Sequence, residues 1–87
     1  MYYVYVLHSE KDKGLYIGCT KDLKRRFSEH NEGRSKSTKN RAPFTLIYYE
    51  AFILNSDARI REQYLKSGYG REQLKSILKN LFNKRGL

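Results

Sequence analysis

The sequence predicts a small α/β domain of the α+β type: a three-stranded sheet, mixed or antiparallel, flanked by three helices in the order ββαβαα. Three observations carry this expectation. Two β-prone runs, Tyr2–His8 and Leu15–Gly18, stand close together at the start, separated by a polar turn. Apolar residues recur at helical spacing in three later stretches, with a third β-prone run between the first and second. The length of 87 residues leaves room for one modest core, so residues 1–87 are expected to form a single domain.

Tyr2–His8 is rich in tyrosine, valine and leucine, which suit a pleated, half-buried surface. Alternation puts Val4 and Val6 on one face and Tyr3, Tyr5 and Leu7 on the other. Ser9–Gly14 reads as a turn. Leu15–Gly18 completes a hairpin, with Leu15 and Ile17 on one face and Tyr16 and Gly18 on the opposite one. Paired in register, the two strands bring Tyr5 and Tyr16 to the same side of the sheet. Thr20 or Asp22 can cap a helix that reaches Asn31, with Leu23 and Phe27 as its buried stripe. Arg26 and His30 fall on or beside that stripe, whereas Lys24, Arg25 and Glu29 fall on the wet face. An arginine aimed at a core edge needs an anion to meet.

Glu32–Arg41 is a basic loop with no apolar residue. Pro43 opens an extended segment, and Thr45–Phe52 reads as the third strand, followed by Asn55 and Ser56 as turn and cap. Asp57–Ser67 is the second helix. Its buried face combines Ala58, Glu62 and Leu65, which embeds a glutamate among apolar neighbours. Gly68-Tyr69-Gly70 is expected to break that helix. Arg71–Phe82 is the third, with a stripe of Leu74, Ile77, Leu78 and Leu81, and the tail Asn83–Leu87 is expected to fray.

Charge narrows the function. Eighteen Lys and Arg against nine Asp and Glu leave a net charge of +9. The excess is segregated: residues 21–41 and 58–87 are strongly basic, whereas residues 42–57 hold two acids and no base. Two basic blocks on a small domain suit convergence on one phosphate backbone. No apolar run approaches the roughly 18 residues needed to cross a bilayer, so no membrane partner is expected. The opening reads as a strand and not as a secretion signal, and cytoplasmic residence is the expectation. The single cysteine, Cys19, excludes an internal disulfide and a cysteine-based zinc site.

Taken singly, the chemically interesting residues have ordinary roles. Tyr5 and Tyr16 suit a cross-strand aromatic pair. Arg26 can pair with Glu29, and Glu62 with Lys66, along their helices. His30 can offset a helix dipole. Cys19 suits a small packed side chain.

Their joint order is more specific. Tyr3-Val4-Tyr5-Val6-Leu7 is followed by Leu15-Tyr16-Ile17-Gly18, by Asp22-Leu23-Lys24-Arg25-Arg26-Phe27-Ser28-Glu29-His30-Asn31, and by Ala58-Arg59-Ile60-Arg61-Glu62. In this arrangement the chain resembles the GIY-YIG nuclease family, and most closely the small single-domain members that share their catalytic module with the excision-repair nuclease subunit. The resemblance runs from Tyr2 to about Leu78. It implies that Tyr5 and Tyr16 are the tyrosines of the two half-motifs, Arg26 the helix arginine and Glu62 the metal-binding glutamate. His30 then stands where a His or Tyr assists proton transfer or phosphate contact. Two positions depart from the pattern. Tyr3 occupies the place of the glycine in the family's name, and Cys19 that of a lysine in the excision nuclease. The family's late polar residue has no clear counterpart.

The resemblance implies a metal-dependent DNA endonuclease of the DNA-repair type, with Mg2+ or Mn2+ as cofactor. Phosphodiester hydrolysis needs charge neutralised on the non-bridging oxygens, which a metal and a guanidinium supply. A phenol, with a pKa of about 10, serves as a base where cations stabilise its anion, and Arg26, the metal and the basic background are expected to do so. A lone carboxylate leaves most metal positions to water and phosphate, which suits Mg2+ or Mn2+ better than Zn2+. Lys24, Arg25, Lys36, Lys39 and Arg41 would track the nucleic-acid backbone, DNA in preference to RNA. The five site residues are expected to converge on one concave surface. Two other readings stand beside this one: a non-catalytic nucleic-acid-binding module on the same fold, and a ribosome-associated basic protein.

Overall fold

The central strand, β1 (Tyr2–Ser9), pairs antiparallel with β2 (Leu15–Thr20) on one side and with β3 (Phe44–Phe52) on the other, in the order β2-β1-β3. The computed structural model describes all 87 residues. The sheet is wholly antiparallel. Val4 to Ser9 are buried without interruption, as befits a strand paired along both edges and covered on both faces.

The two faces follow the alternation in β1. Val4, Val6 and Ile17 pack against Ala58, Leu65, Leu74 and Phe82 from the C-terminal helices. Tyr5, Leu7 and Phe44 pack with Tyr16, Leu23 and Phe27 on the opposite side, under α1 (Leu23–Asn31). The register opposes Tyr5 to Gly18 and Tyr49, and Leu7 to Tyr16 and Leu46. A bulge between Val6 and Leu7 gives β3 an extra residue, so Leu46 and Tyr49 share the Tyr5 face although they stand three apart.

Asp22 caps α1, its carboxylate accepting the Arg25 N–H at 3.0 Å. The far end of α1 is tied to β3 by Asn31. Its Oδ1 accepts the Phe44 N–H at 2.6 Å and its Nδ2 donates to the Phe44 carbonyl at 3.3 Å.

The C-terminal half differs from expectation in four places. Asn55 and Ser56 are the first helical residues of α2 (Asn55–Lys66), not a turn and a cap. Ser67 is where the chain bends. It ends α2 and caps α3 (Gly68–Ile77), its Oγ accepting the Gly70 N–H at 3.2 Å. Gly68 and Gly70 therefore open a helix instead of breaking one. A Cβ on Gly70 would overlap the Tyr64 carbonyl, so α3 folds back on the end of α2 only with glycine there.

The expected third helix is two helices. Leu78, with φ −110 and ψ 35, interrupts it and separates α3 from α4 (Lys79–Arg85). The interruption turns Ile77 outward and brings Phe82 into the core. The tail is also held. Arg85 is hydrogen-bonded to Nδ1 of buried His8 at 2.9 Å and donates to Glu10 at 2.8 Å, latching α4 to β1. Arg61 of α2 donates to both carboxylate oxygens of Glu50, at 2.8 and 2.9 Å, and to Gln73 at 2.8 Å. This bidentate pair fixes the rotation of α2 and hence the direction of the neighbouring Glu62. No helix is long and apolar enough to cross a membrane.

Candidate active site

The site is built where Tyr5 crosses Gly18. A Cβ at position 18 would overlap the Tyr5 hydroxyl, so only glycine lets the phenol lie over the backbone of β2. The Tyr5 hydroxyl is hydrogen-bonded to His30 Nε2 at 2.8 Å, and His30 Nδ1 to Thr38 Oγ1 at 2.6 Å. Tyr5, His30 and Thr38 are each exposed by 1% or less. The half-buried Tyr16 ring lies 4.9 Å from the imidazole and 6.3 Å from the Tyr5 ring, centroid to centroid. The Phe44 ring closes the other side of His30 at 6.0 Å.

Arg26 borders this cluster. It donates from Nη1 to Glu29 at 3.1 Å and from Nη2 to Ser35 Oγ at 3.1 Å. Glu29 and Ser35 engage two of its five N–H donors, a further hydrogen bond goes to Tyr5, and the remainder are available to an anion. Glu29, expected on the wet face, is half-buried because it serves Arg26 and also meets Arg25 at 3.6 Å.

Burial, the largest cause, pushes the Tyr5 phenol up to about 12. The neighbouring Tyr16 and the charge of Glu62 push the same way, while Arg26 opposes them by hydrogen bonding and charge. His30 is pushed down to about 4, first by burial and then by the positive Arg26. Both groups are therefore neutral near pH 7. Arg26 lowers the phenol, as the sequence suggests, but the desolvation of the buried ring outweighs it.

Of the five residues expected to converge on one surface, four do, and Glu62 stands apart from them on α2. Its helix covers the Val4–Val6 face, and the residue is 7% exposed. One oxygen accepts from Lys66 at 3.0 Å and the other from Arg59 at 3.4 Å. Tyr5, Tyr16, Arg26 and His30 form one contiguous cluster on the other face. Glu62 acts on Tyr5 and on Cys19 through its charge, both being raised by it. Cys19 is itself raised mainly by burial and packs against the core, in keeping with a packing role.

No three His, Cys, Asp or Glu side chains cluster in the chain. Glu62 is the carboxylate to which the resemblance assigns a metal. A single hard carboxylate with exposed cationic partners fits Mg2+ or Mn2+, which keep most of their waters. It does not fit Zn2+, which takes three or four protein ligands.

Among the basic residues, Lys24, Lys36 and Lys39 are exposed, and Arg25 is exposed and paired with Glu29. Arg41 is committed elsewhere. It pairs with Asp12, donates to the Leu15 carbonyl at 3.3 Å and lies over the Phe44 ring. The loop that carries it is more than a solvated connection. Ser35 and Thr38 point inward, 5% and 0% exposed, and hold Arg26 and His30. Neither is among the site residues that the sequence points to. Their signal was two hydroxyls three apart, close after His30. Successive turns, Thr38 N–H to Ser35 carbonyl at 3.1 Å and Arg41 N–H to Thr38 carbonyl at 2.9 Å, help to turn these hydroxyls inward.

A small antiparallel α+β fold with a Tyr–His–Arg cluster opposite a glycine defines a recognisable class. The family model described as the GIY-YIG catalytic domain matches residues 1–75, and the chain belongs to that family. It is 40% identical over 78 residues to a UPF0213 protein of Clostridium perfringens, covering 88% of this chain and 83% of that one. It is 39% identical over 77 residues to a UPF0213 protein of Staphylococcus haemolyticus, covering 87% and 93%. The solution NMR structure of a UPF0213 protein from Bacillus halodurans is similar at a TM-score of 0.55 and 37% identity, covering 88% of this chain and 85% of that chain.

Proposed function

We propose that this chain is a divalent-metal-dependent endonuclease-like phosphodiesterase, a single-domain enzyme that hydrolyses DNA in the cytoplasm in the service of repair. The observation that carries the reading is the hydrogen-bonded chain Tyr5–His30–Thr38 with Arg26 beside it. Arg26 holds a non-bridging phosphate oxygen with its free N–H groups. Water enters between Tyr16 and Arg26. Its oxygen bonds to phosphorus as the P–O ester bond breaks, and the departing oxygen takes a proton from solvent. The water proton passes to the Tyr5 oxygen while the Tyr5 proton passes to His30 Nε2. His30 is neutral near pH 7, with Nδ1–H donating to Thr38 to hold that tautomer; held at about 4 it is a weak base and takes the proton only as the Tyr5 oxygen receives one from water. A phenol raised to about 12 carries little free anion, so coupled transfer is how it works as a base. Bound at Glu62, Mg2+ or Mn2+ would supply charge neutralisation at the phosphate.

Lys24, Arg25, Lys36 and Lys39 supply sequence-independent contacts to the DNA backbone. One observation favours the non-catalytic binding module instead: both Glu62 oxygens already have cationic partners. The test is hydrolysis of nicked, branched and single-stranded DNA with Mg2+, with Mn2+ and with EDTA, wild type beside Tyr5→Phe. Metal-dependent cleavage lost in Tyr5→Phe supports the enzyme. DNA binding without cleavage under any condition supports the module, and equal cleavage by both proteins refutes the Tyr5–His30 relay.

A further inference from the structure

We infer that the groove between α1 and β3 receives one unpaired nucleobase beside the scissile phosphate, so that single-stranded or frayed DNA is the preferred substrate. This deepens the proposed nuclease reading and rests on it. The groove has a volume of about 570 Å³ and lies between Tyr3, Leu46 and Tyr49 of the sheet and Leu23 and Phe27 of α1, with Lys24 at its rim. Clefts of roughly 300–1,000 Å³ are the usual size of small-molecule sites, so one base fits with room to spare.

Its position follows from the register. Tyr49 is the cross-strand partner of Tyr5, and Phe27 directly follows Arg26, so the groove adjoins the phosphate-handling cluster. The β3 bulge is what sets Leu46 and Tyr49 on one face to form its floor. Tyr3 and Tyr49 meet edge to face at 6.0 Å, and Tyr49 remains 53% exposed, an aromatic surface available for stacking. Tyr3 stands where the family's name has a glycine, so this aromatic wall is a departure of this chain from the motif. Exposed Lys24 suits the phosphate attached to a stacked base. The one acid nearby, Asp22, has its carboxylate engaged in capping α1. A base can enter only if it is out of the duplex stack.

The test measures binding in EDTA, with single-stranded and duplex oligonucleotides carrying 2-aminopurine as a stacking reporter. Tyr49 is half exposed, so Tyr49→Ala and Tyr49→Phe should both fold. The expected result is 2-aminopurine quenching on the single strand and a loss of single-strand affinity of about tenfold or more in Tyr49→Ala. Duplex affinity should be unchanged, and Tyr49→Phe should bind as wild type does. Equal losses on single strand and duplex, or no loss in Tyr49→Ala, would overturn the groove. Because no cleavage is required, a groove that fails here is distinguishable from a protein that cleaves no DNA in Mg2+ or Mn2+, which would refute the nuclease reading instead.

Discussion

The Tyr5 hydroxyl and His30 Nε2 lie 2.8 Å apart, joined across 25 residues of sequence inside a buried aromatic cluster. Each explains the other's state. Burial keeps the phenol protonated and the imidazole neutral, so the pair can share a proton without either charging first. Thr38 makes the second bond to the imidazole and fixes its plane.

Tyr5→Phe should therefore lower cleavage by about 10²- to 10⁴-fold, the usual worth of general-base assistance, with DNA affinity unchanged. The variant also leaves His30 Nε2 buried without a partner, at a cost of about 1–3 kcal/mol in stability. Single-turnover rates and urea unfolding of the same preparations separate the two effects. A rate within about threefold of wild type would exclude Tyr5 from the proton path.

His30 links stability to pH. Its folded-state pKa is about 4, below its ordinary value of 6.5. As pH falls through this window, the unfolded chain takes up a proton that the folded chain refuses. Stability present above the ordinary value is lost progressively toward the folded one, by up to about 1.4 kcal/mol per pH unit from this group. Urea unfolding of wild type and His30→Gln between about pH 7 and 5.5 should give a steeper dependence for wild type. Cleavage should show no inflection near the ordinary histidine pKa, because His30 is still neutral there. An inflection at that pH, absent in His30→Gln, would mean that His30 titrates as an exposed residue does.

The parts legible in the sequence are those set by short-range pattern. Alternation in Tyr2–His8 separated Val4 and Val6 from Tyr5 and Leu7, and the structure buries them against different helices. Spacing placed Arg26 and His30 beside the Leu23–Phe27 stripe, where they are found. The failures came from contacts that no local pattern encodes. Leu78 looked like one more stripe residue, yet it interrupts the helix so that Phe82 can enter the core and Arg85 can reach His8 and Glu10. Ser35 and Thr38 lie in a loop with no apolar residue to mark an inward face, and their partners, Arg26 and His30, lie on another element. The burial that raises Tyr5 was not legible for a related reason. Charges can be counted in a sequence, but the desolvation that outweighs them depends on packing.

The basic loop now divides into two kinds of residue. Lys36 and Lys39 are exposed, whereas Arg41 braces the loop against Asp12 and Leu15. Replacing Lys36 and Lys39 with Ala should leave the melting temperature unchanged and flatten the salt dependence of DNA binding by about 0.9 log–log unit per lost phosphate contact. Arg41→Ala should do the opposite, lowering the melting temperature with little change in the salt slope. Binding titrations over a range of NaCl, with melting curves alongside, check both. An unchanged slope in the double lysine variant would remove the loop from the DNA interface.

Glu62 separates the catalytic from the non-catalytic reading most sharply. Glu62→Gln keeps the side-chain volume and removes the charge that would hold the metal. No other His, Cys, Asp or Glu forms a cluster able to replace it, so metal-dependent cleavage should fall to background. Stability should change little, because the lost pairs with Lys66 and Arg59 are helix pairs with exposed partners, worth about 0.3–0.5 kcal/mol each. DNA affinity in EDTA should hold or rise, since the substitution removes a negative charge and leaves Lys66 and Arg59 unpaired. A further readout needs no activity at all. The Glu62 charge helps to raise Tyr5, so in Glu62→Gln the Tyr5 phenol should titrate at lower pH than in wild type, measurable by NMR of ring-labelled tyrosine. A lower Tyr5 pKa with abolished cleavage joins the two faces of the sheet into one site. A lower Tyr5 pKa in a pair of proteins that both bind DNA and neither cleave it would make Glu62 a structural charge in a binding module. Equal cleavage by both proteins would place the metal, and the reaction, away from Glu62.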